Sequence, residues 1–354
     1  MLKLPTSKHH SILGIDLSAS AVKVLEISGS KDKLCVEGYA YEPLPSNALE
    51  GNIIKDSEMV AQCIKKAFTQ TKFTAKTVAL AVSDSSVITK VVQLNDGLSD
   101  AEMEELVLIE ADKYIPYPID EVNLDFEVQG YSAKNSALLD VLIVASRAEN
   151  VNSRADVVTK AGLEASIVDV ESYAVERAAQ LITQGLPAQG QGKIIPIVDI
   201  GSHYTHLYVL NNMKLVFSRE EKFGGMQLIE SIVERYNLSQ NEAVTAMKNR
   251  QLPDDYEKEI LEPFKEMVIL QVKRTLQFYY SVSQHQFVDH IVLAGGLAGP
   301  LDLTVLIQEQ LKIPATLANP FATMSLGKDI NVDRLQEDAP SLMVACGLAL
   351  RNIQ

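Results

Sequence analysis

Residues 13–27, LGIDLSASAVKVLEI, place two short apolar runs on either side of an aspartate and a turn of small residues, a pattern that predicts two strands joined by a tight hairpin. The same order of apolar run, aspartate, small turn and apolar run returns in residues 197–210, IVDIGSHYTHLYVL, about 180 residues later. After the first hairpin, KLCVEGYAYEPL reads as a third strand. DSEMVAQCIKKAFTQ reads as a helix, because Met59, Val60, Cys63, Ile64 and Ala67 recur at helical spacing, and TVALAVS reads as a buried strand. Strands followed by a crossover helix and another strand imply a mixed sheet with helical cover. The texture changes over residues 85–165. SVITKVVQL, VNLDFEVQGY and LLDVLIVASR read as strands, while SDAEMEELVLIEADKYI and ENVNSRADVVTKAGL read as helices, with Ser99 and Glu102 at the spacing of a capping box. This β-α-β-β-α block is long enough to fold as a unit.

ASIVDVESYAVERAAQLI then supplies a strand and a helix, and TQGLPAQGQGK, rich in glycine, proline and glutamine, is a link between lobes. GLPAQGQ looks like the start of a phosphate-binding P-loop but lacks the lysine and precedes a strand, so the linker reading is preferred. The second lobe opens on the repeated hairpin and the strand KLVFSREEKF, continues through helices from residue 225 to about 280, and returns to the buried strand of VDHIVLAGG. The predicted class is α/β, with a first lobe at 1–84 and 166–193, an inserted α+β subdomain at 85–165, and a second lobe at 194–354 whose helical part covers about 223–288. The repeat is too long in period for a solenoid and reads as an internal duplication.

At 354 residues and 47% hydrophobic content, the chain can bury two cores. Its 46 acids against 32 bases leave a net charge of −14, which opposes binding to nucleic acid or to an anionic membrane surface. Cys35, Cys63 and Cys346 lie far apart, supporting neither a disulfide framework nor a zinc knuckle, and a reducing cytoplasm is expected. The opening MLKLPTSKHH lacks the apolar core of a signal peptide, and no run approaches the ~18 apolar residues of a membrane span.

A single aspartate at a strand end is ordinarily a satisfied turn residue. Repetition changes the weighing, because two lobes closing on one another would set Asp16 and Asp199 across one cleft. Magnesium takes oxygen ligands and keeps most of its waters, so two carboxylates could hold it beside a polyphosphate. The turns at Ser18, Ala19 and Ser20 and at Gly201 and Ser202 offer backbone N–H groups for phosphate oxygens, and Lys23 adds a compact positive charge. IVLAGGLAGP, residues 291–300, reads as a buried strand ending in paired glycines ahead of a helix, a place for close backbone approach to an adenosine. His203 and His206 differ by an odd offset, which on a strand would aim them at opposite faces and keep them from sharing a metal.

Taken in order, these segments resemble the actin-like ATPase superfamily: a first phosphate hairpin at residues 16–23, a connecting segment at VDVESYAVERAA, a second phosphate hairpin at 199–206, FGGM, an adenosine motif at 293–298, and a last helix in SLMVACGLALRN. An insertion at 85–165 has the place and size of the one that replaces actin's own small subdomain in FtsA-type division proteins. Within it, ADKYIPYPIDEVNLDFEV and VLIVASRAENVNSR resemble the PilM family of type IV pilus assembly.

The resemblance implies ATP with Mg²⁺ as cofactors. Asp16 and Asp199 would act on the metal through water; Ser18, Ala19, Ser20, Gly201 and Ser202 would cradle phosphates, with Lys23 in contact. Gly224, Gly225, Gly295, Gly296 and Leu297 would border the ribose and base. VKRTL is similar to the chaperone helix that flanks the base, making Lys273 and Arg274 candidates, with a solvated helix face as the alternative. Glu171 matches a catalytic acid of the chaperones and His206 a histidine of actin, the alternatives being an acid favoured at a helix N-terminus and an ordinary strand residue. The superfamily's first hairpin usually has glycine where Ser18 stands. Pilus proteins of this family resemble nucleotide-loaded scaffolds more than fast ATPases, which implies at most slow hydrolysis. Their expected partner is the cytoplasmic N-terminal peptide of the inner-membrane protein PilN, bound between the insertion and its parent lobe. Pilus motor ATPases, the platform protein and a homodimer are further expected partners. FtsA-type proteins carry an amphipathic tether after a linker; here RNIQ follows the last superfamily helix, so attachment to the inner membrane is expected through a partner. An FtsA-like filament protein and a small-molecule kinase are the competing readings.

Overall fold

The computed structural model describes residues 11–30 and 33–353, and the opening segment MLKLPTSKHH lies outside the described residues. In the first lobe β1 (Leu13–Leu17), buried at every position, turns back antiparallel into β2 (Ala21–Ser30), which pairs antiparallel with β3 (Lys33–Pro43). A two-residue-stranded hairpin, β4 (Leu49–Glu50) and β5 (Ile53–Ile54), leads to α1 (Ser57–Gln70). Asp56 caps this helix by accepting from the Met59 N–H at 2.9 Å, and Val60, Cys63, Ile64 and Ala67 turn one apolar stripe onto the sheet. β6 (Thr77–Val82) then joins β1 in parallel.

The insertion follows as β7 (Val87–Asn95), α2 (Asp100–Asp112), β8 (Val122–Tyr131) and β9 (Leu138–Arg147), a three-stranded antiparallel sheet with its own core of Val92, Leu94, Met103, Val107 and Ile143. Ser99 and Glu102 form both halves of the capping box of α2. The next helix, α3 (Ala148–Lys160), departs from the sequence boundary. Its Val157 and Val158 enter the first lobe's core beside Ile15 and Val60, so the unit with its own core spans 87–147. Helical periodicity shows that α3 has an apolar face but not which core receives it.

β10 (Glu164–Val170) closes the first sheet and α4 (Glu171–Ala179) crosses toward the second lobe. That lobe is built of β11 (Ile194–Ile200), β12 (Thr205–Asn211), β13 (Lys214–Glu221), α5 (Gly225–Tyr236), α6 (Gln240–Lys248), α7 (Glu262–Val282), β14 (Ile291–Ala294), α8 (Leu303–Leu311) and β15 (Ala315–Leu317). β16 (Ser325–Leu326) returns to the first sheet, and α9 (Val332–Asp338) and α10 (Met343–Ala349) end the fold.

The first sheet runs β10-β6-β1-β2-β3-β16 and the second β13-β12-β11-β14-β15. The five-strand order is therefore the same in both lobes, with antiparallel pairing on the hairpin side and parallel pairing on the other. The repeated hairpin is the visible part of this larger duplication. Between the sheets α4 packs on α10, and Leu25, Ala174, Ala178, Ile197, Leu342 and Ala345 share one core, so the lobes are joined by apolar burial as well as by the chain. Among the described residues no helix is long and apolar enough to cross a membrane.

Candidate functional site

Both aspartate hairpins open onto one cavity of about 450 Å³ between the lobes. The strand register places Asp16 directly opposite Lys23 in the first lobe and Asp199 directly opposite His206 in the second, so the two hairpins present equivalent positions to one space. Ser18, Ala19 and Ser20 line the cavity from the first turn, Gly201, Ser202 and His203 from the second. The Ser18 N–H and hydroxyl both donate to the Ala21 carbonyl, at 3.1 and 3.0 Å, so a serine closes this turn by its own side chain. Glu171 lines the cavity from the first turn of α4, and Gly225, Gly295, Gly296 and Leu297 line it from the second lobe.

Gly224 acts one step back from this wall. The N–H groups of Gly225 and Met226 donate to the carbonyls of Gly201 and Ser202, at 3.1 and 2.7 Å, fastening the second turn to the start of α5. A Cβ on Gly224 would lie 2.5 Å from the Gly201 carbonyl oxygen. α8 begins only at Leu303, so the paired glycines meet the cavity through a turn and not through an abutting helix terminus.

Lys273 and Arg274 do not line the cavity. On α7, Val272, Thr275 and Leu276 face the core, and the helical period leaves the two cations exposed. Asn241, Val244, Met247 and Lys248 of α6 line the cavity instead. Ser239 and Glu242 form the capping box that starts α6, a signal readable in LSQNEA, although the face that meets the cleft is not.

Charge is arranged in compensating pairs. The Lys23 ammonium meets Asp16 Oδ2 at 2.9 Å with both side chains nearly buried. Burial pulls the lysine down, but Asp16, helped by Tyr41 and Asp199, outweighs it and holds the ammonium above its ordinary range. Burial pushes the Asp199 carboxyl up, His206 and Lys23 oppose, and the like charge of Asp16 adds to the rise. A divalent cation between those two carboxylates would relieve that strain, and the all-oxygen donor pair suits Mg²⁺ held through water. Among the described residues, no group of three His, Cys, Asp or Glu forms a direct metal cage. His203 precedes β12 in the turn, so strand alternation does not govern it; both histidines line the cavity, with Ser202 Oγ 2.9 Å from His203 Nδ1.

Glu171 is pushed up to about 7, by burial first and then by Asp16 and Asp84, against the pull of His206 and Arg154. His206 reaches about 9: burial lowers it, but its bond to Glu220 and the charges of Glu171 and Asp199 more than offset that. His206 Nε2 donates to Glu220 Oε2 at 3.1 Å, and its ring stacks on Tyr208 with centroids 5.8 Å apart. At neutral pH His206 is thus an imidazolium that can hold negative charge but cannot accept a proton, whereas Glu171 titrates near neutrality and can.

Both raised groups carry a pH signature. Between about 6.5 and 9 the folded chain keeps a proton on His206 that the unfolded chain has released, and between 4.5 and about 7 the same holds for Glu171. Stability contributed below each unfolded value is lost as pH rises through the folded one. Glu220→Gln removes the strongest upward influence on His206, so urea melts of this variant should lose roughly 1–3 kcal/mol less stability than wild type between pH 6.5 and 9. Parallel pH curves would rule the pair out as the cause.

The sequence pattern of the family described as type IV pilus assembly protein PilM matches residues 14–353. Among solved structures, the chain is similar to one described as a PilM-PilN type IV pilus biogenesis complex, at 27% identity over 97% of this chain and 99% of that chain, with a TM-score of 0.79. Ethanolamine utilization protein EutJ from Carboxydothermus hydrogenoformans is similar in fold alone, at 16% identity over 99% of this chain and 90% of that one, with a TM-score of 0.56.

Proposed function

The chain belongs to the PilM family of type IV pilus assembly proteins and has an actin-like ATPase fold, and from that premise we propose that it is a Mg·ATP-binding scaffold that holds the cytoplasmic N-terminal peptide of PilN. The observation that carries the nucleotide half is the pair of equivalently registered hairpins, Asp16/Lys23 and Asp199/His206, on one interlobe cavity. Asp16 and Asp199 hold the metal through water, the two turns receive the phosphates, and the 295–297 turn and α6 border the adenosine. When bound, Mg²⁺ neutralises phosphate charge; Lys23, Asp16 and His206 keep the remaining charges balanced. With His206 protonated and paired to Glu220, Glu171 is the group left to accept a proton from an attacking water.

The peptide half rests on likeness to a protein solved as a complex with PilN. Tyr114, Tyr117 and Ile119 are exposed on the segment before β8, at 45%, 41% and 36%. The Lys90 ammonium of β7 lies 4.7 Å from the Tyr114 ring centroid, and the Arg147 guanidinium, where β9 runs into α3, lies 5.2 Å from that of Tyr117. An extended peptide with apolar side chains fits such a surface, and through it the chain sits at the cytoplasmic face of the inner membrane, next to the platform protein and motor ATPases. Titration calorimetry tests both halves: one equivalent of Mg·ATP and one of a peptide copying the PilN N-terminus are expected to bind the folded chain. No heat with the peptide would remove the PilN assignment; none with Mg·ATP would remove the nucleotide assignment.

A further inference from the structure

The inserted sheet is joined to the rest of the molecule by two connections, and each hydrogen-bonds to residues that stand at or just behind the wall of the interlobe cavity. The entering connection is the single 3₁₀ turn Asp84–Ser86, immediately before β7. The leaving one is α3, immediately after β9, whose Arg154 is buried and reaches the carbonyls of Leu17 in the first hairpin, at 3.5 Å, and of Asn52, at 3.4 Å. Asn52 itself lines the cavity.

The entering connection reaches Glu220, which stands directly opposite His206 in the β12–β13 register, and Asn52, whose carbonyl receives Arg154 of α3, bonds the same glutamate. One oxygen, Oε2, accepts from His206 Nε2 at 3.1 Å, from Asn52 Nδ2 at 3.2 Å and from Ser85 Oγ at 3.5 Å, so a cavity residue, a first-lobe residue and the entry to the inserted sheet share a single acceptor. Next to it Asp84 accepts from Ser218 Oγ at 3.3 Å, while its other carboxylate oxygen is buried without a partner among the described residues. Three donors on one oxygen cannot all be well satisfied, and weakening one strengthens the others.

We propose that Glu220 is the coupling residue through which occupancy of the cavity is passed to the inserted sheet. The inference rests on the nucleotide reading above. A phosphate anion beside His206 competes with Glu220 for the imidazolium. As that pairing weakens, the carboxylate shifts toward Asn52 and Ser85, and the 84–86 turn is drawn against β13. The ligand thereby interacts differently with two positions of the turn, which is what a shift between them requires. Glu220 is a positioning residue here, since it touches His206 and not the ligand.

Hydrogen exchange of the full chain with and without saturating Mg·AMPPNP tests this, in wild type, Glu220→Gln and Ser85→Ala. The Ser85 side chain is exposed, so its removal leaves the fold intact. In wild type the nucleotide should slow exchange both at the hairpin turns, 17–20 and 200–204, and, by about threefold or more, along β7 and β9. Both variants should keep the hairpin protection, which reports occupancy, and lose the change along β7 and β9. Retention of that change in the two variants would overturn the proposal, as would wild-type protection confined to the hairpins, which leaves the nucleotide reading standing. Unprotected hairpins in wild type would overturn the nucleotide reading and the coupling with it.

Discussion

Asp199→Ala should weaken Mg·ATP binding roughly 10- to 100-fold, the range seen when a group acting on a metal from outside its first coordination sphere is removed, while leaving metal-free ATP binding unchanged or slightly tighter. The opposite signs follow from charge. Asp199 helps the complex only by its attraction to the cation; toward bare phosphates it is a like charge that the alanine removes. Asp16→Ala should behave similarly but less cleanly, because it also strips Lys23 of its partner at 2.9 Å and leaves a nearly buried ammonium free for the phosphates. Calorimetry with and without EDTA separates the cases. Equal loss of affinity in both conditions would mean that Asp199 shapes the turn and does not act on a metal.

Gly295→Ala should cost roughly 2–6 kcal/mol of stability, combining the strain of a non-glycine residue at a left-handed φ with overpacking of a closed site. Gly295 has φ of +90°, and an added Cβ would collide with the Ile200 carbonyl oxygen while lying 2.5 Å from the Ile200 nitrogen and 2.6 Å from Asp199 Oδ1. Two of those three atoms are backbone of β11, which cannot move without disturbing the centre of the second sheet. Against a total of about 5–15 kcal/mol for a typical domain, this loss is large. Gly296→Ala is the control, because nothing lies within 4 Å of the added carbon and its φ is not left-handed; it should stay within about 0.5–1 kcal/mol of wild type. Denaturation midpoints that fall together for the two variants would show that close approach to β11 is not what position 295 requires. Since the same Cβ would press on Asp199, whatever fraction of Gly295→Ala remains folded should also bind Mg·ATP more weakly.

Much of the molecule was open to reading along the chain, and the reasons are local. The hairpin at 13–27, the helix started by Asp56 and the capping box at Ser99 each depend on interactions within a few residues, so their signals survive in sequence order. The repeat of Asp16 at Asp199 was readable for the same reason, although the strand order shared by the two sheets was not, since pairing of β1 with β6 and of β11 with β14 joins residues far apart in sequence. Lys273 and Arg274 show the limit from the other side: VKRTL has the right residue types, but the apolar positions that flank them decide which way the helix turns, and they turn the cations outward. α3 misled in the same way, its valines belonging to the first lobe's core.

The partners of the cleft residues depended most on tertiary structure. Nothing in SREEKF says that Glu220 will meet His206, Asn52 and Ser85, because those contacts bridge the two lobes and the insertion. Short-range periodicity and motifs in order suffice for the elements, the doubled aspartate hairpin and the family. Packing fixes which faces meet across the cleft, which cations reach it, and how burial among like and unlike charges sets the protonation of Glu171 and His206, because burial and long-range pairing come into being only when distant segments come together.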